Sequence, residues 1–304
     1  MSLLVVGSVA YDGIETPFGK VDKVPGGSAT YASLSASYFY NPVRLVGVVG
    51  KDFAQSDIDA FKNRKVDTEG LQIDKSGNTF FWQGRYHENF QQRDTLDTQL
   101  NVFANFDPIL PEQYKESEYI CLANIQPDLQ QKVLDQVENP KMIIMDTMNL
   151  WIDNALDDLK KTLKNVHLLV INDEEAQQLS GDNNLMNAAK IIRDMGPDSL
   201  IIKKGEHGAL LFSDEDFFSA PAFPVTQLYD PTGAGDTFLG GMQGWLAQTD
   251  DLSVSNIRRA MIYGTVMASF CVEEFGPGRL QNLTDKEISE RYEKIKQLSE
   301  IPSQ

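Results

Sequence analysis

The residues best equipped for chemistry stand together late in the chain, in the run Asp230-Pro-Thr-Gly-Ala-Gly-Asp236. The run opens a helical pattern in which Phe238, Leu239, Met242, Trp245 and Leu246 share one face. Gly240 and Gly244, four apart, allow that helix to approach another backbone closely. Gly233, Ala234 and Gly235 place free main-chain N–H groups at the helix start. There, unpaired donors and the positive end of the helix dipole hold an anion. Asp236 falls in the first turn. A carboxylate beside a bound phosphate weakens ground-state binding, so its place makes sense if it removes a proton from an attacking hydroxyl. Taken alone, the run also reads as an ordinary glycine-rich helix entry.

These groups need a scaffold. Apolar runs at 3–6, 43–49, 119–123, 142–145, 168–171, 200–203 and 209–212 read as buried strands. Stretches at 29–40, 53–64, 128–137, 152–163, 173–179, 234–246, 254–271 and 285–298 read as helices. In 152–163, Ile152, Ala155, Leu156, Leu159 and Leu163 fall on one face. This alternation predicts an α/β fold of three layers, a mostly parallel sheet with helices on both faces. One stretch breaks the rhythm. Segments 79–86 and 93–98 are extended with no helix between them, and Phe80, Phe81, Trp82 and Tyr86 crowd there. They predict a small antiparallel β flap, a lid inserted at about 12–25 and 74–100 in a single domain. Its aromatics serve equally well as its own packing or as a surface for a ligand.

Composition narrows the classes. The 304 residues carry 27 Lys and Arg against 44 Asp and Glu, a formal charge of −17. That argues against nucleic acid as partner, because phosphate neutralisation needs clustered cations, and against an anionic membrane surface. A small phosphorylated molecule needs only a local cradle of donors. Cys121 and Cys271 form no motif and read as buried reduced thiols. His87, His167 and His207 give no zinc spacing. No apolar run approaches the ~18 residues of a membrane span, and no basic segment precedes an apolar one at the start. The expectation is a soluble cytoplasmic protein. The sequence lacks a P-loop, a dinucleotide fingerprint after the first strand and a Gly-x-Ser-x-Gly elbow.

Asp-x-x-Gly-Ala-Gly-Asp closely resembles the C-terminal signature of the ribokinase family, the PfkB-type carbohydrate kinases. The resemblance implies ATP-dependent transfer of the γ-phosphoryl group to an alcohol. It makes Asp236 the catalytic base and Gly233, Ala234 and Gly235 the anion hole. Further segments resemble the family in the same order. Gly26-Gly27 matches the diglycine hinge between main domain and lid, and Asp12 matches the acid that binds substrate hydroxyls. Asn172-Asp-Glu-Glu175 matches Asn-x-x-Glu, which implies that Asn172 and Glu175 organise Mg2+ and its waters near the triphosphate. Gly205-Glu-His-Gly208 resembles the loop lining the nucleotide pocket, with Thr232 on the same nucleotide side. Gly276-Pro-Gly278 lies where the adenine-side loop ends. A response to K+ through backbone groups near Asp230 and Thr232 is implied by resemblance alone.

Plainer readings stand beside these. Asp12 serves as a solvated turn residue, and Asn172 with Asp173 as a helix cap. Lys203 and Lys204, ending a strand, read as solvated and receive no role. One position departs from the family: five residues after Gly26, where many members carry Asn, stands Tyr31. A tyrosine offers a hydroxyl or a ring face with different reach. This weakens the case for ribose or a similar simple sugar as acceptor and strengthens that for a nucleoside. Three functions remain open: a sugar kinase, an adenosine-like nucleoside kinase of the same fold, and a non-catalytic nucleotide-binding sensor. The aromatic flap also suits pairing with a second copy as a homodimer.

Overall fold

The computed structural model describes residues 1–298 and 300, apart from 89, 91, 215 and 216. The strands are β1 Leu3–Val6, β2 Ala10–Thr16, β3 Gly19–Gly26, β4 Val43–Gly50, β5 Val66–Asp74, β6 Phe80–Tyr86 and β7 Arg93–Gln99. They continue with β8 Tyr119–Leu122, β9 Met142–Met145, β10 Leu168–Asn172, β11 Ser199–Lys203, β12 Ala209–Phe212 and β13 Phe217–Ala220. The helices are α1 Ser28–Ala36, α2 Gln55–Asn63, α3 Pro127–Leu134, α4 Asn149–Asn154, α5 Leu156–Leu163 and α6 Asp173–Ser180. After them come α7 Leu185–Arg193, α8 Ala234–Thr249, α9 Val254–Cys271, α10 Gly278–Gln281 and α11 Asp285–Leu298.

Nine strands form the main sheet in the order β13-β12-β11-β10-β9-β8-β1-β4-β5. It is parallel except where β12 pairs with β11 and β13. Because successive side chains leave a strand on opposite faces, β1 feeds two cores. Leu3 and Val5 join Leu239, Met242 and Phe270 on the face covered by α1, α8, α9 and α11. Leu4 and Val6 join Val133, Leu159 and Ile192 on the other. This is the expected three-layer architecture.

A second sheet of four strands, in the order β3-β2-β6-β7, stands apart from it. It consists of two antiparallel hairpins joined by a parallel pairing of β2 with β6. The aromatic flap predicted from 79–86 and 93–98 is its second hairpin.

Local differences from the sequence pattern have physical causes. The helix expected over 152–163 is two, because Ala155 leaves helical geometry (φ −141°), yet Ile152 and Leu159 still reach the same core. Strand β5 is an edge strand whose exposed half is polar, so no apolar run betrays it. Helix α7 buries only Ala188, Ala189 and Ile192. Gly240 and Gly244 do what their spacing suggests. A Cβ on Gly240 would lie 2.1 Å from the Ala32 carbonyl oxygen, and one on Gly244 2.6 Å from that of Ala36. The α1 and α8 backbones therefore touch, which fixes the start of α8 against the segment after Gly26-Gly27.

Candidate active site

The site forms at the carboxyl ends of the main strands, where open α/β sheets bind ligands. Gly233 caps α8 in the left-handed region (φ 75°), with no side chain supplying a cap. The Ala234 N–H turns to the Pro231 carbonyl at 3.2 Å, while Gly235 and Asp236 find no main-chain acceptor among the described residues. Asp236 is half-buried in this first turn. Burial, and then the charge of Asp146, push its carboxyl up to about 7, against the opposing pull of Lys203.

Two residues without a sequence-derived role complete this corner. Lys203, read as solvated, is only 17% exposed, and its Nζ lies 3.3 Å from Oδ2 of Asp146, itself 7% exposed. The same Nζ stands 2.9 Å from where a Cβ on Gly235 would be. A cation thus stands beside the first turn of α8. Burial opposes its charge, but Asp146, Glu175 and Asp236 together hold the ammonium above the ordinary lysine range. Oδ1 of Asp146 accepts the Thr147 N–H at 2.9 Å. A signal for both existed in the sequence, since each is a charged residue ending a buried strand of a parallel sheet. Their pairing did not, because it depends on strand order.

Asn172 and Glu175 form a reciprocal capping box at the start of α6. The Asn172 N–H donates to Oε2 of Glu175 and the Glu175 N–H to Oδ1 of Asn172, each at 2.8 Å. This leaves Oε1 of Glu175 free for a further partner. Burial, followed by Asp146, raises the Glu175 carboxyl to about 7. Among the described residues, no group of three or more His, Cys, Asp or Glu could hold a metal by itself. A single carboxylate with an oxygen to spare fits Mg2+, which keeps waters and takes one or two carboxylates plus phosphate oxygens.

Asp12 is no solvated turn residue. It is 4% exposed on β2, and a Cβ on Gly26 would fall 1.9 Å from its Oδ2. The Gly27 N–H donates to its carboxylate, but burial and the charges of Asp230 and Asp236 raise it to about 8. Gly27 itself lies at φ 91°, with a Cβ position 2.5 Å from the Ser8 carbonyl oxygen. Both glycines are therefore obligatory where the small sheet meets α1.

Tyr31 lies beneath the turn, 1% exposed. A Cβ on Gly233 would be 2.4 Å from its ring, so the ring is the floor of the Gly233 turn. Its hydroxyl has no partner among the described residues, and burial with the charges of Asp12 and Asp230 holds it well above the usual phenol value.

Asp230 braces the loop. Its Oδ1 accepts the Thr232 N–H at 2.9 Å and its Oδ2 the Gly276 N–H at 3.0 Å. The Thr232 hydroxyl meets the Tyr86 hydroxyl of the small sheet at 3.1 Å. From that sheet Arg93, also without a sequence-derived role, lowers the carboxyls of Asp12, Glu175 and Asp236. Gly205 (φ 54°) and Gly208 (φ 86°) shape the turn that follows Lys203.

An α/β fold with free N–H groups at a helix start, a half-buried carboxylate in its first turn and a buried lysine beside them is the arrangement of a phosphoryl-transfer enzyme. The chain belongs to the pfkB family of carbohydrate kinases, whose sequence profile matches residues 2–283, and is thereby a kinase. It is 29% identical over 246 residues to the cytidine kinase of Thermococcus kodakarensis, covering 79% of this chain and 87% of that one. It is 23% identical to the nucleoside kinase of Methanocaldococcus jannaschii, covering 90% and 86%. Among solved structures, aminoimidazole riboside kinase from Salmonella enterica, complexed with aminoimidazole riboside and an ATP analog, superposes with a TM-score of 0.76. It does so at 18% identity, over 96% of this chain and 100% of that one. An E. coli chain described as a ribokinase II, in complex with ATP and Mg2+, gives 0.79 at 19% identity over 98% and 99%. No helix among the described residues is long and apolar enough to cross a membrane.

Proposed function

We propose that this kinase transfers the γ-phosphoryl group of ATP to a hydroxyl of a sugar or of a sugar-containing small molecule. The observation that carries the reading is the meeting of Asp236, the Gly233–Gly235 turn and Lys203 at one corner, with Asp12 near enough to feel the charge of Asp236. Asp12 and the Gly26-Gly27 segment hold the acceptor so that one hydroxyl points at Asp236. Asp236 takes the hydroxyl proton. The freed oxygen bonds to the γ-phosphorus as the bond from that phosphorus to the bridging oxygen breaks, and ADP leaves. The N–H groups of Gly235 and Asp236, with the ammonium of Lys203, meet the charge that spreads over the transferred oxygens. Glu175 and Asn172 would hold Mg2+ through water, and the ion when bound would neutralise triphosphate charge.

The small sheet acts as the lid. The hydrogen bond that its Tyr86 hydroxyl accepts from Thr232 fastens it to the anion-hole loop, and exclusion of water limits wasteful hydrolysis of ATP. Thr232, Gly205 and Gly208 line the nucleotide side. A K+ response near Asp230 and Thr232, pairing of two copies through the lid and a cytoplasmic location belong to the same reading. A sensor that binds ATP without turnover fits less well, since it has no use for a base at Asp236. The test is ADP release with sugars and nucleosides as acceptors. Asp236→Asn should retain ATP binding and lose about 10²–10⁴ in kcat; near-normal turnover removes Asp236 from the mechanism.

A further inference from the structure

Among the aromatic side chains of β6, Trp82 alone is packed against neither another aromatic ring, the main core nor the loop at Thr232. Phe80 stacks on Phe103 with centroids 5.3 Å apart. Phe81 packs against the main core. Tyr86 is buried and bonded to Thr232. Trp82 differs. Strand β2 pairs with β6 in parallel register, Asp12 opposite Trp82, so the two side chains leave the sheet on the same face. The register runs unbroken from Phe80 to Arg85, which puts Gly84 and Tyr86 on that face too. It is therefore the face turned toward the anion-hole loop.

On this face the indole lies over Gly84. A Cβ there would be 2.1 Å from Cη2 of Trp82 and 2.4 Å from Cζ2, so the ring occupies the space of the missing side chain. The indole N–H donates to Oγ1 of Thr95 at 3.3 Å, which fixes the plane of the ring. The Arg93 guanidinium stands 5.2 Å from the ring centroid. The ring itself stays half-buried. Neighbouring strands are about 4.8 Å apart, so this plate begins one strand spacing from the carboxyl that would hold sugar hydroxyls.

Resting on the kinase reading above, we propose that the acceptor is an uncharged nucleoside whose heterocycle stacks on Trp82 while its pentose is held at Asp12. An indole with a guanidinium over its ring offers the two kinds of protein surface on which nucleobases stack without needing a particular base edge. Asp12, Asp230 and Asp236 crowd the acceptor side with acids, which disfavours sugar phosphates and sugar acids. A free pentose held at Asp12 leaves the indole uncovered.

The test compares cytidine, uridine, adenosine and inosine with ribose, fructose and myo-inositol by ADP release. It then measures kcat and KM of Trp82→Ala and Trp82→Phe for the best nucleoside. The expected result is a nucleoside as best acceptor. Trp82→Ala should raise its KM about 10–100-fold, the worth of one base–aromatic stack, with a smaller change in kcat. Trp82→Phe, which keeps a ring, should recover most of the loss. A free sugar as best acceptor leaves the kinase reading intact and overturns the nucleoside assignment. A nucleoside acceptor with KM unmoved by Trp82→Ala, or with Trp82→Phe as damaged as Trp82→Ala, overturns the stacking role. Release of ADP with no acceptor at all sinks the kinase reading and this inference with it.

Discussion

Lys203 and Asp146 meet at 3.3 Å above the carboxyl end of β10, joining the ends of β11 and β9 across Asn172. A buried pair of this kind adds little net stability, since the desolvation of both charges offsets their attraction. Its use lies in where it leaves the ammonium, beside Gly235. Lys203→Met should lower kcat about 10²–10³-fold, as removal of one preorganised group facing transition-state charge does. Lys203→Arg should recover part of it. Asp146→Asn leaves Lys203 charged but unheld and should cost less. Initial rates at varied ATP check this, and turnover of Lys203→Met within threefold of the parent would remove the lysine from the site.

Two glycines of the same helix should answer substitution in opposite ways. A Cβ on Gly235 meets only the flexible end of Lys203, 2.9 Å away. Gly235→Ala should fold normally and lose about 10²-fold in rate, because a displacement of about 1 Å at the reacting centre costs that much. A Cβ on Gly240 meets the Ala32 carbonyl oxygen at 2.1 Å, which is backbone and cannot step aside. Gly240→Ala should cost about 1–3 kcal/mol as overpacking. Thermal melts and rates on both variants separate the two kinds of glycine.

How much of this was legible follows from the range of each interaction. The helix start at Gly233–Asp236 and the cap at Asn172 are local patterns, with partners at most a few residues apart, and a helix begins at each where the sequence placed one. Buried strands announced themselves by apolar runs. Strand β3, mostly exposed along Gly19–Gly26, had no such signature, nor had the polar edge of β5. The Lys203–Asp146 pair joins positions 57 apart, and only the order β9-β10-β11 brings them together. Tyr31 was visible as an odd residue, but that its ring floors the Gly233 turn depends on the contact of α1 with α8. The ambiguity over Trp82 and Tyr86 turned on which way β6 faces, a matter of register rather than composition.

Glu175 offers a clean test of the metal assignment. Glutamine at the third helical position still completes a capping box, so Glu175→Gln should keep the start of α6 and lose only the charge. The Mg2+ concentration giving half-maximal rate should rise about 10–100-fold, the range seen when groups supporting a bound metal are removed. An unchanged magnesium titration, with an unchanged melting temperature, takes Glu175 out of the site.

The acids of the site tie activity and stability to pH in opposite directions. Asp236 must be ionised to accept a proton, and burial with Asp146 raises it to about 7. The rate should therefore climb with pH and level off above about 7, as Asp236 and Glu175 lose their protons. Asp12 stands at about 8 in the folded chain, against about 3.9 unfolded. Between those values the native state holds a proton that the unfolded state has lost, so stability falls as pH rises through that window. Asp12→Asn removes the penalty. It should raise Tm by about 2–4 °C at pH 8.5, raise it less at pH 5.5, and impair acceptor binding at both. Melting curves at the two pH values decide it. An equal change in Tm at both would mean that Asp12 ionises in the folded protein as it does in water, and that the crowding of acids around it carries no cost.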